Sequence, residues 1–332
     1  MRAPEFWRGD GGVWPALLAP LAHAYGAAGA ARHALTEPVK ASVPVICVGN
    51  LVTGGAGKTP VALALGAYLK ALGKEVHFLT RGYGGSERGP VRVDPGRHGV
   101  AEIGDEALLL AARAPTWVAR NRVGGAEAAA EDGAGIVVMD DGFQNPSLAK
   151  DVSLLVVDGG FGFGNGRVIP AGPLREPVET GLGRASAVVL IGEDSSGVEE
   201  RIAMARARLG RTPPVLGARL APGANAGEIA GRPVVAFAGI GRPEKFFATL
   251  EEIGCPLSAT HAFDDHHLYT SDEVMAICEQ ARELDALPVT TGKDYVRLPE
   301  AARPMVKVLG VELQWSDEAA LGAVLAPLLG DG

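Results

Sequence analysis

A glycine-rich segment early in the chain has the residue types and spacing of a phosphate-binding loop. Residues 52–59 read Val-Thr-Gly-Gly-Ala-Gly-Lys-Thr, follow an apolar run at 44–48 and open an Ala/Leu-rich stretch. Between a strand and a helix, glycine amides and the helix N-terminus can wrap an anion, while Lys58 reaches the outer phosphates and Thr59 holds Mg²⁺. The strict pattern has glycine where this chain has Val52, and an ordinary glycine turn is the alternative. We predict a nucleoside triphosphate site that consists of Val52, Thr53, Gly54, Gly55, Ala56, Gly57, Lys58 and Thr59.

A pair of adjacent carboxylates could supply the metal site. Asp140 and Asp141 directly follow the apolar run 136–139. Acidic residues at the carboxyl end of a buried parallel strand lie beside a phosphate loop and can bind Mg²⁺ directly or through water. Asp-Asp-Gly is also a favourable turn sequence, which is the alternative interpretation. The pattern predicts that Thr59, Asp140 and Asp141 organise Mg²⁺.

Two further polar segments contain groups that could accept a proton. Asp105 and Glu106 open an expected helix, where on pattern alone they would be an N-terminal cap and a first-turn charge. Residues 263–267 read Phe-Asp-Asp-His-His, and His261 precedes them. Zinc is the least favoured ligand for this segment because no cysteines accompany it. A histidine that carboxylates orient for proton transfer and a solvated cluster are the other interpretations.

These residues need a scaffold, and the sequence after residue 40 predicts one. Short β-branched runs alternate with helical stretches, which is typical of an α/β fold with a doubly wound, mostly parallel sheet of the P-loop NTPase type. We expect strands at 44–48, 75–79, 116–119, 136–139, 153–157 and 187–191, and helices at 58–72, 105–113, 122–131 and 197–209.

The chain is long enough for more than one domain. Its 332 residues are about twice the length of a typical domain. A proline-rich break at 212–214 precedes a second series of strands and helices that begins at 233–238, so a boundary between 205 and 230 is expected. We predict an N-terminal helix in residues 1–40, a larger P-loop domain in 41–212 and a smaller α/β domain in 213–332.

The N-terminal segment is apolar and has a periodicity of its own. Residues 11–31 carry no formal charge, but prolines and glycines interrupt them and Glu5 and Asp10 precede them, so a signal peptide or a membrane span fits poorly. Helical spacing instead relates five apolar residues: Trp14, Leu17, Leu18, Leu21 and Tyr25. This stripe predicts an amphipathic helix that either packs on the protein's own core or lies on a membrane surface. Flanking cations could contact anionic lipid: Arg2, Arg8, Arg32, His33 and Lys40.

Composition and charge exclude several classes of protein. The chain is 47% hydrophobic and 21% charged, which is typical of a globular protein. Lys and Arg number 31 against 39 Asp and Glu, and the net charge of −8 argues against binding nucleic acid through a broad basic surface. We infer no obligate protein partner. The dispersed cysteines support neither disulfides nor a cysteine zinc site and are typical of a reducing cytoplasm: Cys47, Cys255 and Cys278.

Several segments together resemble one family, the tetraacyldisaccharide 4′-kinases of lipid A biosynthesis. The most specific strings are Asp-Asp-Gly-Phe-Gln at 140–144 and Pro-Ala-Gly-Pro-Leu-Arg-Glu-Pro at 170–177, since neither belongs to phosphate loops in general. The family usually has His, Pro and Glu where this chain has Asn145, Asp264 and Gly292, so we assign these three positions no catalytic role. The other matching segments are 4–7 with the helix at 17–25, 48–60, 81–84, 104–106, 164–167, 237–240, 265–266 and 290–294.

The resemblance implies an activity and a location. It implies transfer of the γ-phosphoryl group of ATP, with Mg²⁺, to the 4′-hydroxyl of a tetraacylated glucosamine disaccharide 1-phosphate. This lipid A precursor lies in the cytoplasmic leaflet of the inner membrane. The resemblance therefore favours a peripheral enzyme at the cytoplasmic face of that membrane, docked through the N-terminal stripe.

The resemblance also implies roles for individual residues. Asp105, helped by His266, would take the 4′-hydroxyl proton, and Lys58 and Asp141 would belong to the catalytic centre. Arginine matches phosphate with two parallel hydrogen bonds, which makes three arginines candidate clamps. Residues implied near the metal are Glu106 and Glu176, and candidate substrate contacts are Arg81, Arg122, Arg175 and Asn165.

Two alternatives remain at this point. A P-loop GTPase or metallochaperone-type switch would be distinguished by its nucleotide choice and by turnover without lipid, although residues 291–294 lack the Asn of a guanine-binding signature. A soluble small-molecule kinase would be active without detergent or vesicles. The kinase interpretation requires Lys58 and Asp141 to lie close together. If Asp105 and His266 belong to different domains, their contact would require the domains to close.

Overall fold

The computed structural model describes residues 4–9, 12–210 and 212–329, without the side chains of 206–209. Arg2 and Asp10, which entered the prediction for the N-terminal segment, lie outside the described residues. The strands are β1 (Val45–Gly49), β2 (Val76–Thr80), β3 (Val91–Arg92), β4 (Thr116–Val118), β5 (Ile136–Asp140), β6 (Val152–Asp158), β7 (Ala187–Ile191), β8 (Val215–Pro222), β9 (Val234–Ala238), β10 (Leu257–Ala262), β11 (Leu287–Thr291), β12 (Lys307–Leu309) and β13 (Val311–Trp315). The helices are α1 (Val13–Leu35), α2 (Lys58–Ala71), α3 (Val100–Ile103), α4 (Asp105–Ala111), α5 (Arg122–Glu131), α6 (Val178–Arg184), α7 (Val198–Leu209), α8 (Pro243–Glu252), α9 (Ser271–Glu283), α10 (Gly292–Tyr295) and α11 (Glu318–Leu329).

The larger of the two sheets in the described chain carries the phosphate loop. Within the described residues it has nine strands in the order β13-β8-β7-β6-β1-β5-β2-β4-β3. Neighbouring strands are parallel except for the edge pairs β13 with β8 and β3 with β4. Strands β1, β5 and β7 are buried at every residue and consist mostly of Val, Ile and Leu, because parallel strands are covered on both faces. The predicted α/β fold with a mostly parallel sheet is confirmed.

Side chains that alternate along β1 pack on opposite faces of this sheet. Val45 and Cys47 belong to one hydrophobic cluster with α5, α6 and α7, whereas Ile46 and Val48 belong to another with α2, α4 and α11. The helices therefore cover both faces, as a doubly wound fold requires. All six predicted strands are present, with ends that differ by at most one residue, and so are the four predicted helices.

A smaller α/β unit lies between β8 and β13 in the chain. Its parallel sheet has four strands within the described residues, in the order β10-β9-β11-β12. Phe246 and Leu250 of α8 pack on one face of this sheet, and Val274 and Ile277 of α9 pack on the other. The smaller unit thus has a hydrophobic core of its own, separate from that of the larger sheet.

The division between the sheets differs from the boundary expected at residue 212. β8 follows that residue but pairs with β7 of the larger sheet, because its apolar side chains Leu216 and Ala218 complete the same hydrophobic cluster as α2. β13 and α11 return to the larger unit after the smaller one. Where the two connections run side by side, Gly223 N donates to Gly310 O at 2.7 Å. By sheet membership, the smaller unit is an insertion at residues 223–310.

The predicted N-terminal helix is present as α1 and is mostly exposed. Pro15 and Ala22 are its buried residues. Trp14, Leu17 and Leu21 are 63%, 63% and 61% exposed, so the apolar stripe is not covered by the protein's own core. Among the described helices, none combines the length and the apolar character that crossing a bilayer needs.

Candidate active site

The phosphate loop begins where β1 ends, at the centre of the larger sheet. Gly54 and Gly57 have φ of 109° and 83°, a left-handed region that glycine adopts without strain. Gly54 and Gly55 are exposed, which leaves this part of the backbone accessible to an anion. Val52 is buried and forms an isolated bridge with Leu174. It therefore anchors the loop to the segment that contains Leu174, and its side chain is not part of the exposed surface that an anion could reach.

The loop is held by the segment that carries the specific family resemblance. Thr53 N donates to Pro173 O at 2.9 Å, and Arg175 N donates to Leu51 O at 2.7 Å. Ala56 is buried in the hydrophobic cluster on one face of the sheet. The segment 170–177 therefore holds the phosphate loop in place through these two backbone hydrogen bonds.

Lys58 and Asp141 lie close together, as the kinase interpretation requires. Lys58 begins α2, and its Nζ is 3.8 Å from Asp141 Oδ1. Asp141 follows β5 directly, and its Oδ1 also accepts a hydrogen bond from Arg175 Nη1 at 2.8 Å. Burial raises the pKa of the Asp141 carboxyl, but the charges of Lys58 and Arg175 outweigh burial and hold it below its ordinary value. Asp141 is thus an anion that pairs with two cations.

Asp140 has a different environment from its neighbour. It is fully buried at the end of β5, its Oδ2 accepts a hydrogen bond from Thr59 Oγ1 at 3.0 Å, and its Oδ1 has no hydrogen-bond partner among the described residues. Burial, together with the charge of Glu106, raises the pKa of Asp140 to about 7. The buried Oδ1 of Asn50 likewise has no partner in the described part of the chain.

These oxygen atoms fit a hard divalent cation. Mg²⁺ prefers oxygen ligands and usually keeps waters and substrate phosphates in its coordination shell. The Thr59 hydroxyl and the Asp140 carboxylate with its unpartnered oxygen are such ligands. No group of three or more His, Cys, Asp or Glu that could hold a metal ion occurs in the chain that the structure describes.

Asp105 and His266 meet across the two units. Asp105 begins α4 of the larger unit, and its Oδ2 lies 3.2 Å from Nδ1 of His266, which belongs to the smaller unit. Burial opposes ionisation of Asp105, but the hydrogen bond with His266 and the charges of Lys293 and Arg297 outweigh it and lower the pKa far below its ordinary value. The hydrogen bond with Asp105 raises the pKa of His266, against the effect of burial. The contact expected to need domain closure is therefore already made.

Sequence reasoning missed Arg297, the main partner of Asp105. Arg297 Nε donates to Asp105 Oδ2 at 3.0 Å, and its Nη2 contacts the same oxygen. Lys293 was part of the family resemblance without a role, and its Nζ is 2.9 Å from Glu106 Oε1. A single arginine between Val296 and Leu298 gives no local pattern, so only the fold identifies it.

The candidate arginine clamps differ in exposure. Arg122 begins α5 and is buried; its Nη1 donates to Ala119 O, while its Nε has no partner among the described residues. Burial and the nearby charge of Arg81 lower the pKa of Arg122 to about 10, so it stays a cation at neutral pH. Arg81 is exposed just after β2. Arg175 is already paired with Asp141.

Two carboxylates expected near the metal have other partners. Glu106 pairs with Lys293, although its charge still acts on Asp140. Glu176 accepts hydrogen bonds on both carboxylate oxygens from Arg184 Nη2 at 2.7 Å. Both carboxylates are therefore paired with protein cations, and a paired carboxylate loses these contacts when it binds a metal ion. A place for Glu106 and Glu176 near the metal stays a prediction.

Asn165, expected to contact substrate, instead supports the N-terminal segment. Its Nδ2 donates to Phe6 O at 3.0 Å and Ala171 O at 2.9 Å, and its Oδ1 accepts from Arg167 N at 3.1 Å. Its backbone N donates to Trp7 O at 2.8 Å. The polar atoms of Asn165 are therefore used in tying the turn Glu5–Trp7, which precedes α1, to the larger unit.

The histidines that could have formed a zinc site have separate partners. His261 Nε2 is 2.7 Å from Gln280 Oε1, and His267 Nε2 is 3.2 Å from Glu273 Oε2. His266 contacts Asp105 instead. The three histidines are thus not gathered around one point, and the Asp105 contact of His266 is the arrangement in which a carboxylate can orient a histidine for proton transfer.

The fold and the site define a class of protein. A doubly wound parallel sheet, a glycine loop after its central strand, a hydroxyl and a carboxylate at the metal position, and a carboxylate–histidine pair are the parts of a P-loop phosphotransferase. Comparison with known proteins gives the particular family. The family model described as Tetraacyldisaccharide-1-P 4′-kinase matches residues 14–329, and the chain belongs to this family.

Individual relatives agree over nearly the whole chain. The tetraacyldisaccharide 4′-kinase of Rhodospirillum centenum is 56% identical over 99% of this chain and 97% of its own length. That of Paramagnetospirillum magneticum is 55% identical over 97% of each. This chain also matches a crystal structure of LpxK from Aquifex aeolicus in complex with ATP, with 25% sequence identity and a TM-score of 0.75. The match covers 96% of this chain and 100% of that one. The family resemblance inferred from the sequence is thereby confirmed.

Proposed function

We propose that this chain transfers the γ-phosphoryl group of ATP to the 4′-hydroxyl of tetraacyldisaccharide 1-phosphate and so forms the 4′-phosphorylated lipid A precursor. Membership of the kinase family supports this activity over a GTPase or metallochaperone-type switch. The observation that carries the proposal is the proximity of Lys58 Nζ and Asp141 Oδ1, 3.8 Å apart, beside the Thr59–Asp140 hydrogen bond of 3.0 Å.

Electrostatic stabilisation of the phosphates is the main contribution of the loop. The amides of residues 53–57 and the Lys58 ammonium would hold the β- and γ-phosphates where negative charge builds up in the transition state. Thr59 and Asp140 would hold Mg²⁺, which when bound supplies further positive charge to the phosphate oxygens. Asp141 would hold Lys58 and Arg175 in their places.

The 4′-hydroxyl proton goes to His266 rather than to Asp105 in this proposal, which revises the role expected from the sequence. Asp105 is buried, accepts hydrogen bonds from Arg297, and has a lowered pKa caused by its cationic surroundings, so it is a poor proton acceptor. His266 is about 40% exposed and its pKa is raised by the hydrogen bond with Asp105. Asp105 would orient the ring and stabilise its charged form, while Nε2 takes the proton.

Arginines near the phosphate loop are suited to phosphate groups of nucleotide or lipid. The unpartnered Nε of buried Arg122 supports a role in binding an anion, because a buried donor without an acceptor is unfavourable. Exposed Arg81 could reach a second phosphate. Arg175 is the weakest of the three as a direct substrate clamp because Asp141 already occupies its guanidinium.

Helix α1 provides the contact with the membrane in which the substrate lies. We propose that the chain is peripheral to the cytoplasmic leaflet of the inner membrane. The exposure of Trp14, Leu17 and Leu21 on a 23-residue helix supports the proposal, since such apolar area is unfavourable in water.

The test is incubation with γ-labelled ATP, Mg²⁺ and tetraacyldisaccharide 1-phosphate in detergent micelles. Label on the 4′ position of the sugar is the expected result, with GTP a poor substitute for ATP. A disaccharide 1-phosphate without acyl chains serves as the matched acceptor and distinguishes a soluble small-molecule kinase. Nucleotide turnover without a labelled lipid product would contradict the proposed function.

A further inference from the structure

Arg297 joins the two units at the carboxylate–histidine pair, outside the phosphate loop and the metal position. Its side chain is 1% exposed, and that of its partner Asp105 is 3% exposed. Arg297 Nε donates to Asp105 Oδ2 at 3.0 Å, and Nη2 contacts the same oxygen. A buried ion pair is costly to desolvate unless its geometry is well fixed, so the surroundings of Arg297 matter.

A frame of buried polar groups in the smaller unit fixes the guanidinium. Arg297 Nη1 donates to Gly239 O at 2.7 Å and to Asp294 Oδ1 at 3.2 Å. Asp294 is fully buried and also accepts from Gly239 N at 2.9 Å and from the Tyr269 hydroxyl at 3.0 Å. His266 N donates to the same Gly239 carbonyl at 3.0 Å. One set of contacts therefore positions both Arg297 and His266.

We propose that Arg297 is a positioning residue for phosphoryl transfer, because it holds the Asp105 carboxylate where that group accepts a hydrogen bond from His266 Nδ1. This inference rests on the proposed function. Arg297 Nη2 and Asp105 Oδ2 each lie 3.2 Å from Nδ1. Arg297 Nη2 is only a donor, so its contact with Nδ1 alone would suit a bare Nδ1. A bare Nδ1 would, however, also turn its lone pair toward the Asp105 carboxylate. A protonated Nδ1 instead donates to Oδ2, the anion on which the N–H groups of Arg297 also converge, and a hydrogen bond to a carboxylate is the stronger of the two. That tautomer leaves Nε2 free to take the hydroxyl proton.

A double-mutant cycle separates positioning from simple structural support. The measurements are kcat for lipid phosphorylation and KM for ATP in the wild type, Arg297→Met, His266→Gln and the double variant. Arg297→Met is expected to lower kcat about 10- to 100-fold in the wild-type background while KM for ATP changes less than about threefold. In the His266→Gln background the further loss should be less than about threefold, because the residue through which Arg297 acts is already gone.

Arg303→Met is the matched control. Arg303 Nε and Nη2 donate to the carbonyls of Leu298 and Val296, so it supports the turn that carries Arg297 without reaching Asp105. Any loss in kcat from Arg303→Met should be the same factor in both backgrounds. An equal factor for Arg297→Met in both backgrounds, or no loss of kcat, would overturn the proposal.

Two further measurements keep the inference testable on its own. If Arg297→Met does not fold, Arg297→Lys replaces it in the cycle, since lysine keeps the charge but lacks the fork that gives two donors to one oxygen. Nitrogen-15 NMR of the imidazole needs no substrate: the wild type should hold the Nδ1–H tautomer and the Arg297 variant a mixture. An unchanged tautomer overturns the inference. A wild type that does not phosphorylate the lipid rejects the proposed function alone, since the NMR result still decides the role of Arg297.

Discussion

Two adjacent carboxylates acquire different properties from their neighbours. Asp141 lies beside Lys58 and Arg175, whose charges hold its pKa below the ordinary value despite burial. Asp140 is fully buried and lies near the charge of Glu106, and both effects raise its pKa to about 7. Asp141 is paired with protein cations, whereas Asp140 keeps an oxygen without a partner in the described chain and is suited to a bound cation.

Replacing Lys58 tests the phosphate loop. Lys58→Ala is expected to lower kcat about 10²- to 10³-fold, because it removes charge from the site of phosphate stabilisation. Stability should change little, since Asp141 keeps its hydrogen bond with Arg175. Steady-state kinetics and thermal unfolding measure the two effects. Lys70→Ala in the same helix, where Lys70 Nζ donates to Arg113 O at the surface, is the control. Wild-type kcat in Lys58→Ala would refute the assignment of the loop.

The pH dependence of kcat tests the carboxylate–histidine pair. The hydrogen bond with Asp105 raises the pKa of His266, and a base acts only when neutral, so kcat should fall as pH decreases through this raised pKa. Asp105→Asn removes the charge that raises it. The acidic limb of the kcat profile should therefore move to lower pH, and kcat should drop about tenfold or more.

Asp265→Asn is the control for this experiment. Asp265 Oδ1 is 3.9 Å from His266 Nε2, and its side chain is exposed. Solvent screens such a pair, so its removal should move the acidic limb in the same direction by a smaller amount. A profile that stays in place in Asp105→Asn would argue that His266 is not the base.

At the scale of elements, local sequence predicts what lies next to a buried strand. The phosphate loop and the Asp140–Asp141 pair follow β1 and β5, so apolar runs and their ends locate them. Pairing partners distant in sequence leave no such pattern: Arg175 meets Asp141 over a separation of 34 residues, and Arg297 meets Asp105 over 192. The strand β8 escaped prediction because it follows a proline-rich break that is typical of a boundary.

Helix α1 gives a prediction at the same scale. The double variant Leu17→Glu/Leu21→Glu should lose affinity for anionic lipid vesicles about 100-fold or more, because two exposed apolar side chains no longer enter the lipid. Vesicle sedimentation measures binding. Ala27→Glu/Ala30→Glu adds the same charge to exposed positions on the opposite helix face, at 100° per residue, and should bind almost normally. Equal binding by both variants would show that the stripe does not dock.

At the scale of the whole molecule, the described residues contain two groups of ion pairs that join the units, one at the proton-transfer pair and one at the phosphate loop. One consists of Asp105 and Glu106 with Arg297 and Lys293, described above. In the other, Asp158 at the end of β6 pairs with Arg242 Nη2 at 2.7 Å and with Lys245 Nζ at 3.0 Å. Arg242 Nη2 also donates to Gly55 O of the phosphate loop at 3.3 Å. The smaller unit therefore contacts the phosphate loop and supplies His266 and Arg297 to Asp105 of the larger unit.

Comparison of Arg242 with Lys245 tests this contact. Arg242→Met should raise KM for ATP about fivefold, because the loop loses a hydrogen bond worth about 1 kcal/mol, while kcat changes less. Lys245→Met removes a cation from the same Asp158 carboxylate but leaves the donor to the loop, so its KM should rise less. Steady-state kinetics at saturating lipid provides both values. Equal KM values for the two variants would contradict a role of Arg242 in holding the loop.

The chain enters the smaller unit at Gly223 and leaves it at Gly310, beside the entry point, which has a consequence for folding during translation. Because β13 pairs with β8 and α11 packs on the α2 face, a segment made after the inserted unit supplies the edge of the sheet that the first half begins. The inserted unit has its own core and is complete earlier. During translation the smaller unit can fold while the larger one still lacks β13. A chain truncated near residue 310 would expose the edge of β8 that β13 covers, and such an unpaired edge is prone to aggregation.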